Sequence, residues 1–328
     1  MDLASLQPLP FDPIFQYRPW GGRRLADWLG APLPGDGPIG EAWLLSDRED
    51  RSSRVACGPF MGRSITDLMA QSAQLILGRL APRFARFPLL LKFLDVSGTL
   101  SVQVHPPDGA TGLIPTGETG KTEAWVVLDA RPGSRVYAGL KPSTTAMDLR
   151  TLSQPTVDRA LASFAPRRGQ SLLIEAGGVH AVGGGVVVFE VQENSDVTFR
   201  LFDWDHVDPA TGHLRALQVE EAIACVDFAR GAILPMPEPP FPPARQALVD
   251  CSHFQMWRID SSAVFTVGAT GTPRVLVCLN GAGCVEHAGT DFALGRGGTM
   301  LLPAALGACR FRPEGQVTLL EIGVPDLP

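Results

Sequence analysis

A chain of 328 residues is long enough for two domains with cores of their own. Glycine, proline and aliphatic residues are plentiful while charged residues make up only 19%, which marks a globular rather than a disordered chain. The net charge of −6 excludes a general binder of nucleic acid or of an anionic membrane, so any anionic ligand must be held by local basic groups against the overall field.

The opening stretch, MDLASLQPLPFDPIF, has no basic start followed by an apolar core, so no signal peptide is expected. No apolar run reaches the length of a membrane span. Cys57, Cys225, Cys251, Cys278, Cys284 and Cys309 are scattered without a CxxC pair. They read as reduced, mostly buried thiols of a cytoplasmic protein and not as ligands.

Residues 1–50 are rich in Pro and Gly and end in a short strand candidate at 41–46. Ser64 and Asp67 make the S-x-x-D start of a helix expected over 65–77, with Ile65, Leu68 and Met69 at helical spacing and Gly78 to end it. Short β-branched runs, separated by Gly, Pro and Asp, then predict strands at 88–95, 100–105, 122–129, 134–139, 171–175, 185–193 and 197–203. Helical patterns at 145–164 and 218–228 interrupt them. The stretch PMPEPPFPP at 235–243 reads as a stiff extended linker, and strands resume at 254–259, 264–267, 274–279, 283–286, 299–302, 308–312 and 317–322. Two β-domains joined by a Pro-rich linker is the expected architecture.

Four places carry residues suited to chemistry. In TLSVQVHP, alternation sets Leu100, Val102 and Val104 on one face and Ser101, Gln103 and His105 on the other. Residues two apart on a strand lie about 6.5–7 Å apart on one face, so Gln103 and His105 can lean toward one point. The alternative is a solvent-facing polar row. In GKTEAWVV, Lys121, Glu123 and Trp125 share a face, and such a Lys–Glu pair is most often a solvated ion pair. In IEAGGVHAVGGG, His180 stands in a glycine-rich turn that lets the backbone approach other strands. Arg200 sits mid-strand among Val, Phe and Leu, where it needs an anionic partner or an exposed face. One amide oxygen, two imidazoles and a carboxylate suit Zn²⁺, Fe²⁺ or Mn²⁺, and the lack of thiolates fits a catalytic rather than a structural site. His206, His213, His253 and His287 lack comparable partners in the sequence and read as surface or loop residues.

The blocks LKFLD, LSVQVHP, GKTE, GGVHA and QENSDVTFRLFDWD strongly resemble those of the type I mannose-6-phosphate isomerases, especially the short bacterial form. The likeness runs from about Gly40 to Phe228, and the QVHP, GKTE and NSD-x-x-x-R blocks are specific in combination. It implies a mainly β fold of two cupin-type (jelly-roll) barrels with a few helices on the N-terminal half. Residues 1–234 would be the catalytic domain, 235–245 the linker and 246–328 a second cupin domain. It also implies one Zn²⁺ per chain, held by Gln103, His105, Glu123 and His180. Arg200 matches the family's active-site arginine, and Ser101, Lys92 and Lys121 match its contacts to the substrate phosphate.

Some positions depart from the family pattern. The helical insertion of larger members has no room here, and the usually basic position after DWD is His206. The second half has Ala308 where a metal-binding cupin has histidine, and no H-x-H precedes it, so that half is expected to be metal-free.

The implied reaction interconverts mannose 6-phosphate and fructose 6-phosphate through an enediol. Lys121 is the first candidate for the general base, on the expectation that a neighbouring metal lowers its pKa. A carboxylate in the Asp203–Asp205 loop or a hydroxide on the metal would serve equally well. The expected partner is a small sugar phosphate, with no nucleic acid and no membrane. Two other readings compete: a metal-binding cupin that only binds or senses a sugar phosphate, and an iron cupin dioxygenase. The dioxygenase would be expected to show H-x-H where this chain has Q-x-H.

Overall fold

Runs of Val, Leu, Ile and Phe bounded by Gly, Pro and Asp form strands along most of the chain. The computed structural model describes residues 6–208, 211–237, 239 and 244–326. The chain opens with β1 (Leu9–Phe11), β2 (Ile14–Gly22), helix α1 (Leu25–Leu29), β3 (Ile39–Leu45) and the small hairpin β4 (Asp47–Arg48) and β5 (Arg51–Ser52). Helix α2 (Ile65–Leu77) leads into β6 (Leu89–Val96), β7 (Val102–Val104), β8 (Glu123–Ala130) and β9 (Arg135–Leu140). Short helices α3 (Ala146–Arg150) and α4 (Gln154–Ala160) precede β10 (Leu161–Phe164), β11 (Ser171–Ile174), β12 (His180–Gly183), β13 (Val186–Glu193), β14 (Phe199–Phe202) and α5 (Val219–Cys225). The C-terminal half holds β15 (Arg245–Asp250), β16 (Gln255–Ser261), β17 (Phe265–Gly268), β18 (Arg274–Asn280), β19 (Ala282–His287), β20 (Thr290–Gly295), β21 (Thr299–Leu302), β22 (Ala308–Pro313) and β23 (Val317–Gly323).

Apart from the β4–β5 hairpin, these strands build four antiparallel sheets in layers among the described residues. The first has the order β10-β9-β12-β7-β14, the second β11-β8-β13-β6-β2-β3, the third β1-β21-β18-β23-β16-β15 and the fourth β17-β22-β19-β20. Helices α3, α4 and α5 cover the outer face of the first sheet through Leu149, Val157 and Ala222. Its inner face meets the second sheet over Leu94, Val96, Val127, Val136, Val182 and Val188. The other face of the second sheet packs on the third through Leu91, Phe93, Val126 and Phe189 against Val249, Val275, Leu320 and Ile322, with α2 closing the edge. The third and fourth sheets enclose Leu276, Met300, Leu319, Val285 and Phe311. β1, from the N-terminal end of the chain, pairs with β21 of the third sheet.

Helix α2 keeps its expected bounds because Ser64 accepts from the Asp67 N–H while the Asp67 side chain caps the Ser64 N–H. It kinks at Ser72. The single helix expected over 145–164 is instead α3, α4 and a strand. Ser153 and Thr156 cap a fresh helix start, Pro155 fits only its first turn, and 161–164 pairs with β9. His180 lies on β12 and not in a turn: the turn ends at Gly178, where Gly177 takes a φ of +85°.

Ile233 and Met236 donate backbone bonds to Ala138 and Ser171, so the approach to the Pro-rich segment lies along the first two sheets. Residues 238 and 240–243 of the expected linker lie outside the described residues. All six cysteines are free thiols, four of them buried. Among the described residues no helix is long and apolar enough to cross a membrane.

Ending the chain after Ala229 would strip the third sheet from Leu91, Phe93, Val126 and Phe189, each at most 1% exposed, and leave β1 without its partner. The expected outcome is an aggregating fragment on size-exclusion chromatography. A soluble, active fragment would show that the first two sheets stand alone.

Candidate active site

Three strands of the first sheet set one row of side chains. Gln103 on β7 is in register with His180 on β12 to one side and with Arg200 on β14 to the other. Residues in register on neighbouring strands point to the same face, here toward the second sheet. Across the gap, β8 carries Glu123 and Trp125 on its inner face. Trp125 is in register with Glu190, and Glu190 with Lys92. The space between these sheets is therefore apolar at one end and polar at the other.

Glu123 is the centre of the polar end and is 0% exposed. Its Oε1 lies 3.2 Å from His180 Nε2, and its Oε2 lies 3.3 Å from His105 Nε2 and 3.0 Å from Lys121 Nζ. His105 Nδ1 donates to the Val197 carbonyl and His180 Nδ1 to the Gly178 carbonyl, each at 2.9 Å. Both Nε2 atoms are thus left as acceptors that face the carboxylate. Gln103 Nε2 is 3.2 Å from His180 Nε2, and turning the amide over brings its oxygen to the same spot. The Trp125 ring meets His180 edge-on at 5.5 Å, which fixes the imidazole plane.

Burial, and then the Lys121 ammonium, push the His105 imidazole down to about 3, so it is neutral. Burial alone would raise the Glu123 carboxyl, but Lys121 and the two imidazoles hold it well below the usual carboxylate range. Among the described residues, neither Glu123 oxygen has a partner in hydrogen-bonding geometry. A buried carboxylate in that condition, with the Nε2 atoms of two imidazoles beside it, is a donor set for a divalent cation. The ligand atoms of His105, Glu123 and His180 all lie within 4.8 Å of one another.

A cleft of about 500 Å³ opens from this point, lined by Ser101, Gln103, Lys121, Lys92, Glu190, Glu41, Arg18, Asp196 and Arg200 among others. Most of its cations are already paired. Lys92 sits 3.0 Å from Glu190 and donates to Gln192 at 2.6 Å, Arg18 pairs Glu41 with two bonds, and Arg215 pairs Asp203 with two. Arg200 has no carboxylate at ion-pair distance among the described residues, and its Nε is buried without a hydrogen-bond acceptor. Burial, and then the nearby Arg215, lower its pKa. Ser101 is buried, with Oγ 3.4 Å from Gln103 Oε1. Asp203 is held by Arg215, Asp205 is exposed, and neither lines the cleft.

Residues 9–121 match the family model described as phosphomannose isomerase type I, catalytic domain. The mannose-6-phosphate isomerase ManA of Bacillus subtilis is 32% identical over 322 residues, covering 95% of this chain and 97% of that one. The chain belongs to the type I phosphomannose isomerases. A mannose-6-phosphate isomerase of Streptococcus mutans is 28% identical over 310 residues, covering 93% of this chain and 95% of its own. The crystal structure of the mannose 6-phosphate isomerase from Bacillus subtilis superimposes with a TM-score of 0.86 at 25% identity, covering 97% of this chain and 99% of that one. The chain is accordingly an aldose–ketose isomerase, and the cleft beside Glu123 is its candidate active site.

In this isomerase the second sheet supplies cleft residues that the sequence reading passed over. Glu190 accepts from Trp125 Nε1 at 2.9 Å, and Glu41 accepts from Trp43 Nε1 at 2.7 Å. The visible signal was a carboxylate inside an apolar run, VVVFEV for Glu190. His253, read as a surface or loop histidine, is in a loop but pairs with Glu193 at 3.2 Å.

Burial would raise the Glu41 carboxyl, but Lys92 and Arg18 hold it at about 2 against an ordinary 4.5. With the folded value below the unfolded one, its contribution to stability is full above about 4.5 and gone below about 2. The stability gap between the wild type and Glu41→Gln, measured by urea unfolding, should therefore shrink as pH falls through that window. A gap of constant size from pH ~6 to ~2.5 would contradict this account.

Proposed function

We propose that the chain is a zinc-dependent isomerase that interconverts mannose 6-phosphate and fructose 6-phosphate through an enediol, with one ion held by Gln103, His105, Glu123 and His180. The observation that carries this reading is the buried Glu123 carboxylate facing two imidazole Nε2 atoms, whose tautomer is set by the Val197 and Gly178 carbonyls. Bound there, Zn²⁺ supplies a Lewis acid for the negative charge that develops on the substrate's O1 and O2.

The chain's own groups divide the remaining work. The proton on C2 is weakly acidic and must pass to C1. Lys121, buried at the inner end of the cleft beside His105 and Glu123, is the group assigned to carry it. As the free amine it would take the proton from C2 and, as the ammonium so formed, return it to C1. Arg200, abreast of Gln103 and with no carboxylate at ion-pair distance among the described residues, shares the oxyanion charge. Ser101 and Lys92 line the same cleft and are assigned, with Lys121, to the substrate. Lys92 acts from within its ion pair with Glu190. The buried walls around Glu123 keep bulk water from the reacting carbons.

The layered sheets support two cupin-type barrels: a catalytic one in 1–234, a link at 235–245 and a structural one in 246–328. Among the described residues, no group of His, Cys, Asp and Glu with metal-holding spacing lies wholly in the second of these.

The deciding experiment is turnover of mannose 6-phosphate by chelator-stripped protein before and after Zn²⁺ is returned. Activity that vanishes and returns supports the assignment. One bound metal with no turnover on any hexose phosphate would favour a sugar-phosphate-binding cupin instead. His180→Ala should lose metal and activity together. Arg200→Ala should keep its metal and lose about 10²–10³ in kcat/KM, the range for removing a transition-state charge partner. Unchanged turnover would take Arg200 out of the mechanism.

A further inference from the structure

A second cluster of titratable side chains lies behind the site, where the two halves of the chain meet. Glu193, the last residue of β13, is 7% exposed. Its Oε2 accepts from the Thr122 N–H at 2.6 Å, and its own N–H donates to the Thr122 carbonyl at 3.1 Å. Both backbone polar groups of Thr122, the residue before Glu123, are therefore held by one carboxylate-bearing residue. Thr122 Oγ1 also accepts from the Ala176 N–H at 3.3 Å, in the turn that leads to His180. The other oxygen of Glu193, Oε1, lies 3.2 Å from Nδ1 of His253, which stands in the loop between β15 and β16. Asp108 completes the cluster, and its Oδ1 accepts from the Gly120 N–H at 2.8 Å.

We propose that His253 is a positioning residue for the metal centre, reaching from the C-terminal half: its imidazolium neutralises Glu193, which holds Thr122 and so fixes the Glu123 carboxylate. This rests on the assignment of Glu123 as a ligand. The contact at 3.2 Å places His253 Nδ1 on Glu193, and the hydrogen bond between them outweighs partial burial and raises the imidazole's pKa, which favours the charged form that the clamp uses. Without it, Glu193 is a nearly buried carboxylate with no other ion pair among the described residues, which favours turning out toward solvent and releasing the Thr122 N–H. With the ring protonated, the cluster contains its own cation between two carboxylates and needs no bound metal. The C-terminal half, read so far as structural, acquires through this contact a specific effect on the site.

The test compares wild type, His253→Leu and His253→Gln. Leucine removes the donor at similar volume, and glutamine keeps a donor toward Glu193. Hydrogen exchange of the Thr122 amide in metal-free protein reads the clamp without any catalysis. It should quicken in His253→Leu and stay near wild type in His253→Gln. In zinc-loaded protein, metal loss to a chelator should be about three- to tenfold faster in His253→Leu, below the 10–100-fold of a group that touches a ligand directly. Its kcat should fall while KM for mannose 6-phosphate stays within about twofold, and His253→Gln should recover most of both.

Wild-type exchange and metal loss in His253→Leu, with only a lower melting temperature, would reduce the contact to packing and overturn the proposal. So would glutamine as damaging as leucine, or two metal ions per wild-type chain falling to one in both variants, because the ring would then be a ligand. A wild type that binds no zinc or turns over no sugar phosphate would remove the functional assignment, while the exchange result would still decide the clamp.

Discussion

The site depends on a carboxylate kept fully buried. Taking an ionised carboxylate out of water costs about several kcal/mol even after relaxation, and the cost is offset only by close cations or donors. Glu123 answers it with the Lys121 ammonium at 3.0 Å, while the imidazole Nε2 atoms of His180 and His105 face it as acceptors at 3.2 and 3.3 Å, and among the described residues neither oxygen has a hydrogen bond of good geometry. Such an arrangement is poor as a stabilising ion pair and well suited to a ligand with a positive charge. The imidazoles cannot rotate away, because each Nδ1–H is committed to a backbone carbonyl. The scaffold has fixed the donor atoms in advance, which is what a metal centre requires.

The sheets make that fixation possible. His180, Gln103 and Arg200 come from three adjacent strands and are aligned by ladder hydrogen bonds rather than by loop contacts. Trp125, Glu190 and Lys92 are aligned the same way on the facing sheet. Precision of this kind follows from register: a slip of one residue would turn every one of these side chains to the opposite face. The second sheet is in turn fixed by burial on both sides, between the first sheet and the third. The C-terminal half therefore bears on the chemistry even where it lines none of the cleft.

Much of this was legible in the sequence because strand alternation is a strong signal. Gln103 and His105 stood out as polar residues two apart, and the structure leaves Gln103 half-buried and His105 1% exposed, so the row is not a solvated one. Lys121 and Glu123 also looked like a surface ion pair from spacing alone. Nothing local distinguishes a solvated pair from a buried one, since burial is decided by which sheet covers the face. His180 was singled out, but its strand was hidden: four residues after a Gly-Gly turn are too few to show a period. Ser153 and Pro155 likewise break a continuous apolar rhythm into two helices, because capping and the missing proline N–H outweigh periodicity at that point. Glu41 and Glu190 were passed over because their partners lie on other strands, and pairing at a distance leaves no mark in spacing.

The charge pattern of the cleft follows from the same economy of pairing. A chain with net charge −6 must attract a phosphate dianion against its own field. Scattered unpaired cations would do this at the expense of stability, because each would be desolvated without compensation. Instead Lys92, Arg18 and Arg215 are neutralised by Glu190, Glu41 and Asp203, which makes rigid walls of them. Positive charge is left over at one point, Arg200, whose guanidinium is partly buried and has no carboxylate at ion-pair distance among the described residues. On the proposed assignment, a single uncompensated cation beside a preformed donor set would concentrate the attraction where charge develops during the reaction. The neutralised walls would then hold the sugar in place without competing for that charge.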